Sequence, residues 1–397
     1  MQVFIVEKNH AGQRLDKFLH KYLPEASKSF IYKMLRKKNI TLNGKKAEGK
    51  EILQLNDEIK CFFSEETFAK FSGNVPADEN NPAETKAPDR SESEKIDSPK
   101  GKSDKGKTDK NKQEKNKQDK NKQDKKNSDN KKSDKNKNDK NKSDKKDGMS
   151  EYQYAYYNLT EENIRIIYED ENILILNKPA GVLTQKAENK DLSLNEWMIG
   201  YLLEHGRITE NELRLFKPSV CNRLDRNTSG LVLCGISLAG TQKLNDMIKN
   251  RTIRKYYRTI CIGEITAPDM LEGNLTKDHK KNKVTIDEEG EAIKTAFTPI
   301  QKLNHLYTYL EVELITGKTH QIRAHLASID HPLIGDAKYG KQDVNQHFQK
   351  KYKLENHLLH AYRLEFPILG GEFESLSEMV FLAPLPKEFK IILKDLA

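Results

Sequence analysis

Apolar and polar residues alternate along Gln2-Val3-Phe4-Ile5-Val6, the spacing of a short strand. Leu15, Phe18, Leu19 and Leu23 then recur at helical spacing, and Ile31, Met34 and Leu35 mark a second helix that Ser27 or Ser29 can cap. Ile40-Thr41-Leu42 runs into Asn43-Gly44, a pair that favours a two-residue hairpin turn, and Asp57 to Phe62 closes as a further strand. The apolar rhythm stops near residue 73 and resumes near 151.

Beyond 151 the pattern is rich in strands. Asn172 to Asn177 and Leu231 to Gly235 are runs of the buried type, whereas 254–262 and 307–314 alternate. Helical spacing fits 192–204, 238–249 and 319–329. Strands joined by both hairpins and helices predict an α+β fold, with a large mixed, mostly antiparallel sheet in 151–397 and a small α/β module in 1–73.

The stretch between them changes the reading of charge. The 397-residue chain carries 69 Lys+Arg against 60 Asp+Glu, a net of +9. Residues 101–147 hold 19 lysines and 10 acids, which accounts for the whole excess. The acids from Asp104 to Asp144 recur every fifth residue, a period of neither helix nor strand. No apolar side chain interrupts them beyond the methyl of Thr108, so nothing can be buried to offset ordering entropy. Residues 74–150 are expected to be a disordered linker with a root-mean-square span on the order of 50 Å. It serves either as a solvated spacer or as a polycationic arm that speeds RNA encounter, and the interleaved acids count against the arm. Outside it the charges balance, so a nucleic-acid partner must be argued from motifs.

Other classes lose their signals. No run of about 18 apolar residues exists, so no membrane span is expected. The start lacks a basic-then-apolar leader pattern. Cys61, Cys221, Cys234 and Cys261 are far apart and form no C-x-x-C pair, which speaks against a zinc site or a disulfide framework and for a reducing, cytoplasmic setting. Phosphate-binding loops, dinucleotide fingerprints and nucleophile elbows are missing.

Four constellations could carry chemistry. In Cys221-Asn222-Arg223-Leu224-Asp225-Arg226-Asn227-Thr228-Ser229-Gly230, Asp225 lies in a polar turn at the mouth of a strand, close to Arg223 and Arg226. A carboxylate near guanidinium groups has a lowered pKa and can serve as nucleophile or base; it can also be a purely structural turn carboxylate. Thr228 and Ser229 are expected to cap the turn through backbone bonds, and Gly230 to permit its tightness. In Thr316 to Leu326, Gly317 ends a strand and a polar block opens a helix, where Lys318, His320 and Arg323 can form an anion site for a phosphate or for Asp225, or serve only as helix cap and surface charge. His320 and His325 are five apart and cannot share a metal as an i,i+4 pair would. Lys178-Pro179-Ala180-Gly181 makes a turn after a strand, and Lys178 can touch phosphate or merely belong to the turn. Arg254 to Arg258 puts Tyr256 and Tyr257 on opposite faces of a strand, where one can stack on a base or both can pack into the core. In the N-terminal module, Lys28, Lys33, Arg36, Lys37 and Lys38 crowd one helix, and Lys45 and Lys46 follow a turn.

These blocks resemble two known families. Gly12 to Leu19, Ser27 to Lys37 and Ile40 to Lys45 resemble the S-four-type RNA-binding module. Asn222 to Gly230, Lys178 to Gly181, Lys255 to Tyr257, Gly317 to Leu326 with His331 to Gly340, and Leu359 to Ala361 resemble, in order, the motifs of the RluA-type pseudouridine synthases. The resemblance covers about 165–385.

The resemblance implies that Asp225 is the catalytic aspartate. It implies that Tyr257 stacks on the uracil and assists the final proton removal, and that Arg323 pairs with Asp225. It implies an RNA substrate, large-subunit ribosomal RNA before transfer RNA, and no metal or organic cofactor. Lys178, Arg223, Arg226, Lys318, His320, Lys28, Lys33, Arg36 and Lys37 are the expected RNA contacts, and the chain is expected to act as a monomer. Asn222 and Gln185 stand where the family often has His, and neither titrates. The alternative is a non-catalytic RNA-binding or ribosome-assembly factor on the same fold.

Overall fold

A computed structural model of the chain describes residues 1–72, 149–278, 283–287 and 290–397. The expected linker, 74–150, lies outside the described residues except for Met149 and Ser150.

The N-terminal module runs β1 (Gln2–Ile5), α1 (Leu15–Tyr22), α2 (Lys28–Arg36), β2 (Ile40–Leu42), β3 (Lys45–Lys46), β4 (Glu58–Cys61) and α3 (Glu65–Ser72). Its strands form one sheet in the order β1-β4-β2-β3. Helical spacing turns Leu15, Phe18 and Leu19 of α1 and Ile31, Met34 and Leu35 of α2 onto a shared core with Ile40, Leu53 and Ile59. Each such side chain contributes about 1.5–3 kcal/mol through burial. Ser27 caps α2 by accepting from Phe30 N at 3.2 Å. Asn43 adopts φ +51 and Gly44 φ +71, the pair of positive angles the hairpin requires.

The larger region starts at α4 (Glu151–Leu159), capped by Ser150. It continues through β5 (Arg165–Glu169), β6 (Ile173–Lys178), α5 (Leu194–Glu204), α6 (Glu210–Leu215), β7 (Ser219–Val220), β8 (Ser229–Gly235), α7 (Leu238–Lys249) and β9 (Arg254–Ile262). Then come β10 (Asp269–Asp278), β11 (Lys283–Asp287), β12 (Glu291–Leu303), β13 (Tyr307–Leu314), α8 (Gln321–Ser328), α9 (Gln342–Tyr352), β14 (Leu359–Glu365), β15 (Val380–Leu382) and α10 (Lys387–Leu396). One sheet has the order β11-β10-β12-β13-β9-β14-β8-β6-β5, with β15 on β14 and β7 on β8. Among the described residues β14 and β8 make the parallel pair and the other neighbours are antiparallel. The sheet is therefore mixed and mostly antiparallel, as the pattern predicts.

The centre of this sheet explains the continuous apolar runs. In β6, Leu174 and Leu176 join the cluster containing Trp197 and Met198 of α5, while Ile173 and Ile175 join the one containing Leu244 and Met247 of α7. Val232 and Leu233 of β8 divide the same way. Both faces are covered, so polar alternation disappears. Leu215 of α6 packs against the module's core, and Lys21 Nζ donates to Leu215 O at 2.8 Å.

Candidate active site

β6 delivers the chain into the turn 179–182, and that turn grips the loop carrying Asp225. Lys178 is fully buried, and its ammonium donates to Pro179 O at 2.9 Å, Val182 O at 2.8 Å and Arg226 O at 3.0 Å. Burial pulls Lys178 down to about 7, against the opposing pull of Asp225. With three hydrogens committed to three carbonyls, Lys178 has nothing left for a phosphate; the RNA contact expected of it is corrected to a clamp between two loops. Gly181 N donates to Arg226 O at 2.9 Å, and Arg226 Nε returns a bond to Gly181 O at 2.9 Å. Thr184 Oγ1 bonds both Leu224 N and Leu224 O. Residues 224–226 are held on both sides of the aspartate.

The other end of the loop is fixed by β14 and the residues just before it. Thr228 Oγ1 lies 2.8 Å from His357 Nε2, and Ser229 Oγ lies 2.8 Å from His360 Nδ1. The backbone caps expected of Thr228 and Ser229 are replaced by these side-chain pairs. Burial lowers both histidines to about 4, so they stay neutral partners of the hydroxyls at neutral pH. Gly230 has φ +113, and a Cβ there would fall 2.2 Å from Ala361 O. Glycine is required by close approach inside β8 as well as by backbone angle.

Asp225 meets α8 across this framework. Arg323 Nη1 donates to Asp225 Oδ2 at 2.8 Å. The remaining edge of the guanidinium is locked by Asp336, which accepts from Nε at 2.7 Å and from Nη2 at 2.9 Å. Asp336 is fully buried and also accepts from Lys338 N and Tyr339 N. Burial alone would raise the Asp336 carboxyl, but the bonds to Arg323 hold it below its ordinary 3.8. Burial likewise opposes the Arg323 charge, and the two carboxylates more than restore it. Asp225 keeps a quarter of its side chain exposed, and its Oδ1 has no hydrogen-bond partner among the described residues. One oxygen is anchored and the other is open.

Tyr257 sits in β9 opposite Val312 of β13 and Ala361 of β14 and is buried in the main core. Burial, then the charge of Asp225, pushes its phenol above the usual tyrosine range. A phenol held protonated in this way offers an apolar face and a donor, not a resting base. Tyr256, on the other face, carries Arg363 over its ring at 3.9 Å.

His320 precedes α8 in the left-handed conformation, φ +55. Its side chain is almost wholly buried, with Nδ1 3.1 Å from Tyr339 Oη and Nε2 3.8 Å from Asp225 Oδ2. Burial lowers its pKa, with Asp225 pulling the other way. The phosphate contact expected of His320 is thereby corrected: it faces a carboxylate from inside the site. Lys318 is exposed and ion-paired with Glu291. An exposed pair of this kind is worth at most about 1 kcal/mol, so it can exchange for a phosphate. Arg223 and Arg226 are exposed beside the loop. Lys28, Lys33 and Arg36 of α2 and Lys37 just after it are exposed and have no ion pair among the described residues.

Asn222 is engaged with the β8 backbone. Its Oδ1 accepts from Leu233 N at 2.7 Å and its Nδ2 donates to Leu231 O at 3.4 Å, so it splints β8. Gln185 is exposed. Asp336, Tyr339, His357 and His360 were not singled out by sequence reasoning. The signal for Asp336 and Tyr339 lay in the block His331 to Gly340, where a lone acid after a glycine gives no hint of its partner.

Comparison with known proteins shows the family. A family profile described as RNA pseudouridylate synthase matches residues 172–328, which span β6 to the end of α8. The S4 domain profile matches 13–59. The chain is 31% identical over 245 residues to ribosomal large subunit pseudouridine synthase C of Buchnera aphidicola, covering 59% of this chain and 71% of that one. It is 29% identical over 241 residues to ribosomal large subunit pseudouridine synthase D of Borreliella burgdorferi, covering 58% and 68%. It is 29% identical over 235 residues to the synthase D of Escherichia coli, covering 56% and 67%. With these relatives, the chain belongs to the RNA pseudouridylate synthase family.

Proposed function

We propose that this pseudouridine synthase modifies uridines of large-subunit ribosomal RNA, with Asp225 as the catalytic aspartate, Arg323 as its anchor and Tyr257 as the platform under the uracil. The reaction breaks the bond between ribose and the uracil nitrogen, turns the base and rejoins it through carbon 5. The observation that carries the reading is the Arg323 bridge. A buried guanidinium fixed by Asp336 presents one N–H to Asp225 Oδ2 at 2.8 Å and leaves Oδ1 to face the substrate. An anchored carboxylate needs no reorganisation when it reacts.

The detached base must be retained while it turns. In this reading the Tyr257 ring, buried beside Val312 and Ala361, is the stacking partner, and a water-poor pocket retains the base. Flipping the uridine out of its stack costs a few kcal/mol. The exposed basic face of α2 and the hairpin lysines Lys45 and Lys46 offset that cost through remote binding. The names of the relatives carry the choice of large-subunit RNA. Mapping carbodiimide-modified pseudouridines in ribosomal RNA from cells with and without this protein tests it. One or a few large-subunit positions should lose their signal; a loss confined to transfer RNA would contradict the substrate assignment.

A further inference from the structure

Tyr339 joins three parts of the molecule that the Asp225–Arg323 pair does not explain. Its ring lies 5.2 Å from the Arg323 guanidinium carbon and packs with Val284, Ile286 and Ala324, under the β10–β11 hairpin. Its hydroxyl receives Val284 N–H at 2.8 Å and stands 3.1 Å from His320 Nδ1. Those two contacts fix the direction of the phenol hydrogen. A backbone N–H can only donate, so Val284 takes a lone pair of the oxygen. Among the described residues, the acceptor left for the phenol hydrogen is His320 Nδ1. A proton on Nδ1 would confront that hydrogen and leave it unpaired in a half-buried site, at a cost of about 1–3 kcal/mol.

An imidazole that accepts at Nδ1 carries its proton on Nε2. Nε2 lies 3.8 Å from Asp225 Oδ2, beyond hydrogen-bond length, so the N–H faces the carboxylate without being consumed by it. Burial lowers His320, with Arg323 and Lys338 adding to it and Asp225 and Asp336 opposing, which favours the neutral ring. Burial raises Tyr339, which keeps its proton.

The geometry points to Tyr339 as a positioning residue that holds His320 in the Nε2–H tautomer, aimed at Asp225. The inference deepens the proposed function and rests on Asp225 being the reacting carboxylate. The hydrogen-bonded order is Val284 N–H to Tyr339 Oη–H to His320 Nδ1, with the Nε2–H left over for the carboxylate or for a substrate oxygen beside it.

Two measurements on the full chain test this. In isotope-labelled histidine NMR without RNA, with His320 assigned by H320Q, wild type should show Nε2 protonated and Nδ1 bare. Tyr339→Phe keeps the ring on Arg323 and removes only the hydroxyl. Its His320 should lose the single-tautomer signature, and single-turnover pseudouridine formation should slow at least about tenfold with RNA affinity unchanged. A wild-type His320 protonated at Nδ1, or a Phe variant that keeps full rate, would overturn the assignment. The tautomer is read without activity, so it decides even if the Phe variant does not fold. A wild-type chain that forms no pseudouridine would instead count against the function it rests on.

Discussion

Arg323 can hold Asp225 in place because Asp336 holds Arg323. Removing one partner of a buried ion pair leaves an uncompensated charge, at about 3–5 kcal/mol. Asp336→Asn should lower stability by about that amount near neutral pH. The sign with pH follows from the depressed Asp336 carboxyl. Its stabilising contribution is complete above its ordinary 3.8 and is lost as pH falls through the lower folded value. Denaturant titrations should show the wild-type advantage intact down to about pH 4 and shrinking below it; an advantage gone by pH 6 would contradict the assignment. Asn222 makes the opposite case. It bonds β8 backbone at Leu231 and Leu233, so Asn222→Ala should cost about 1–2 kcal/mol of stability while the single-turnover rate stays within about threefold. A collapse of rate at unchanged stability would mean that Asn222 handles a proton.

Among the elements, β6, β8 and α8 were legible in the sequence and their cross-connections were not. Buried strands announce themselves by unbroken apolar runs, and helices by their period. A turn that reaches 48 residues along the chain, as Lys178 does to Arg226 O, leaves no local pattern. Lys178, read as a phosphate contact, departed from its reading for that reason, because charge alone does not reveal burial; His320, read as an anion ligand for a phosphate or for Asp225, faces the Asp225 carboxylate. Asp225 with Arg323 succeeded because a motif resemblance supplied the long-range pairing that periodicity cannot. The Lys178 clamp gives a sharp contrast. Lys178→Met leaves three carbonyls without their donor and should cost about 3 kcal/mol or more, with RNA affinity and its salt slope unchanged. A phosphate contact would show the reverse, a shallower salt slope at unchanged melting temperature.

Across the whole molecule, the basic surface and the aspartate belong to different parts of the chain. Residues 1–72 present Lys28, Lys33, Arg36 and Lys37 to solvent, and the surroundings of Asp225 are built from 178–361. We propose that the segment between them is a spacer. Deleting 75–147 should leave single-turnover catalysis on saturating RNA within about threefold, whereas reversing Lys33 and Arg36 to Glu should weaken RNA binding and flatten its salt dependence by roughly 0.7–0.9 per lost phosphate contact. A rate loss above about tenfold on deletion would give the spacer a place in the active structure. The account depends most on the open oxygen of Asp225. Asp225→Asn, assayed by carbodiimide and primer extension on bound RNA, should form no pseudouridine while binding RNA as tightly as wild type. Pseudouridine formed at the wild-type rate by that variant would contradict it.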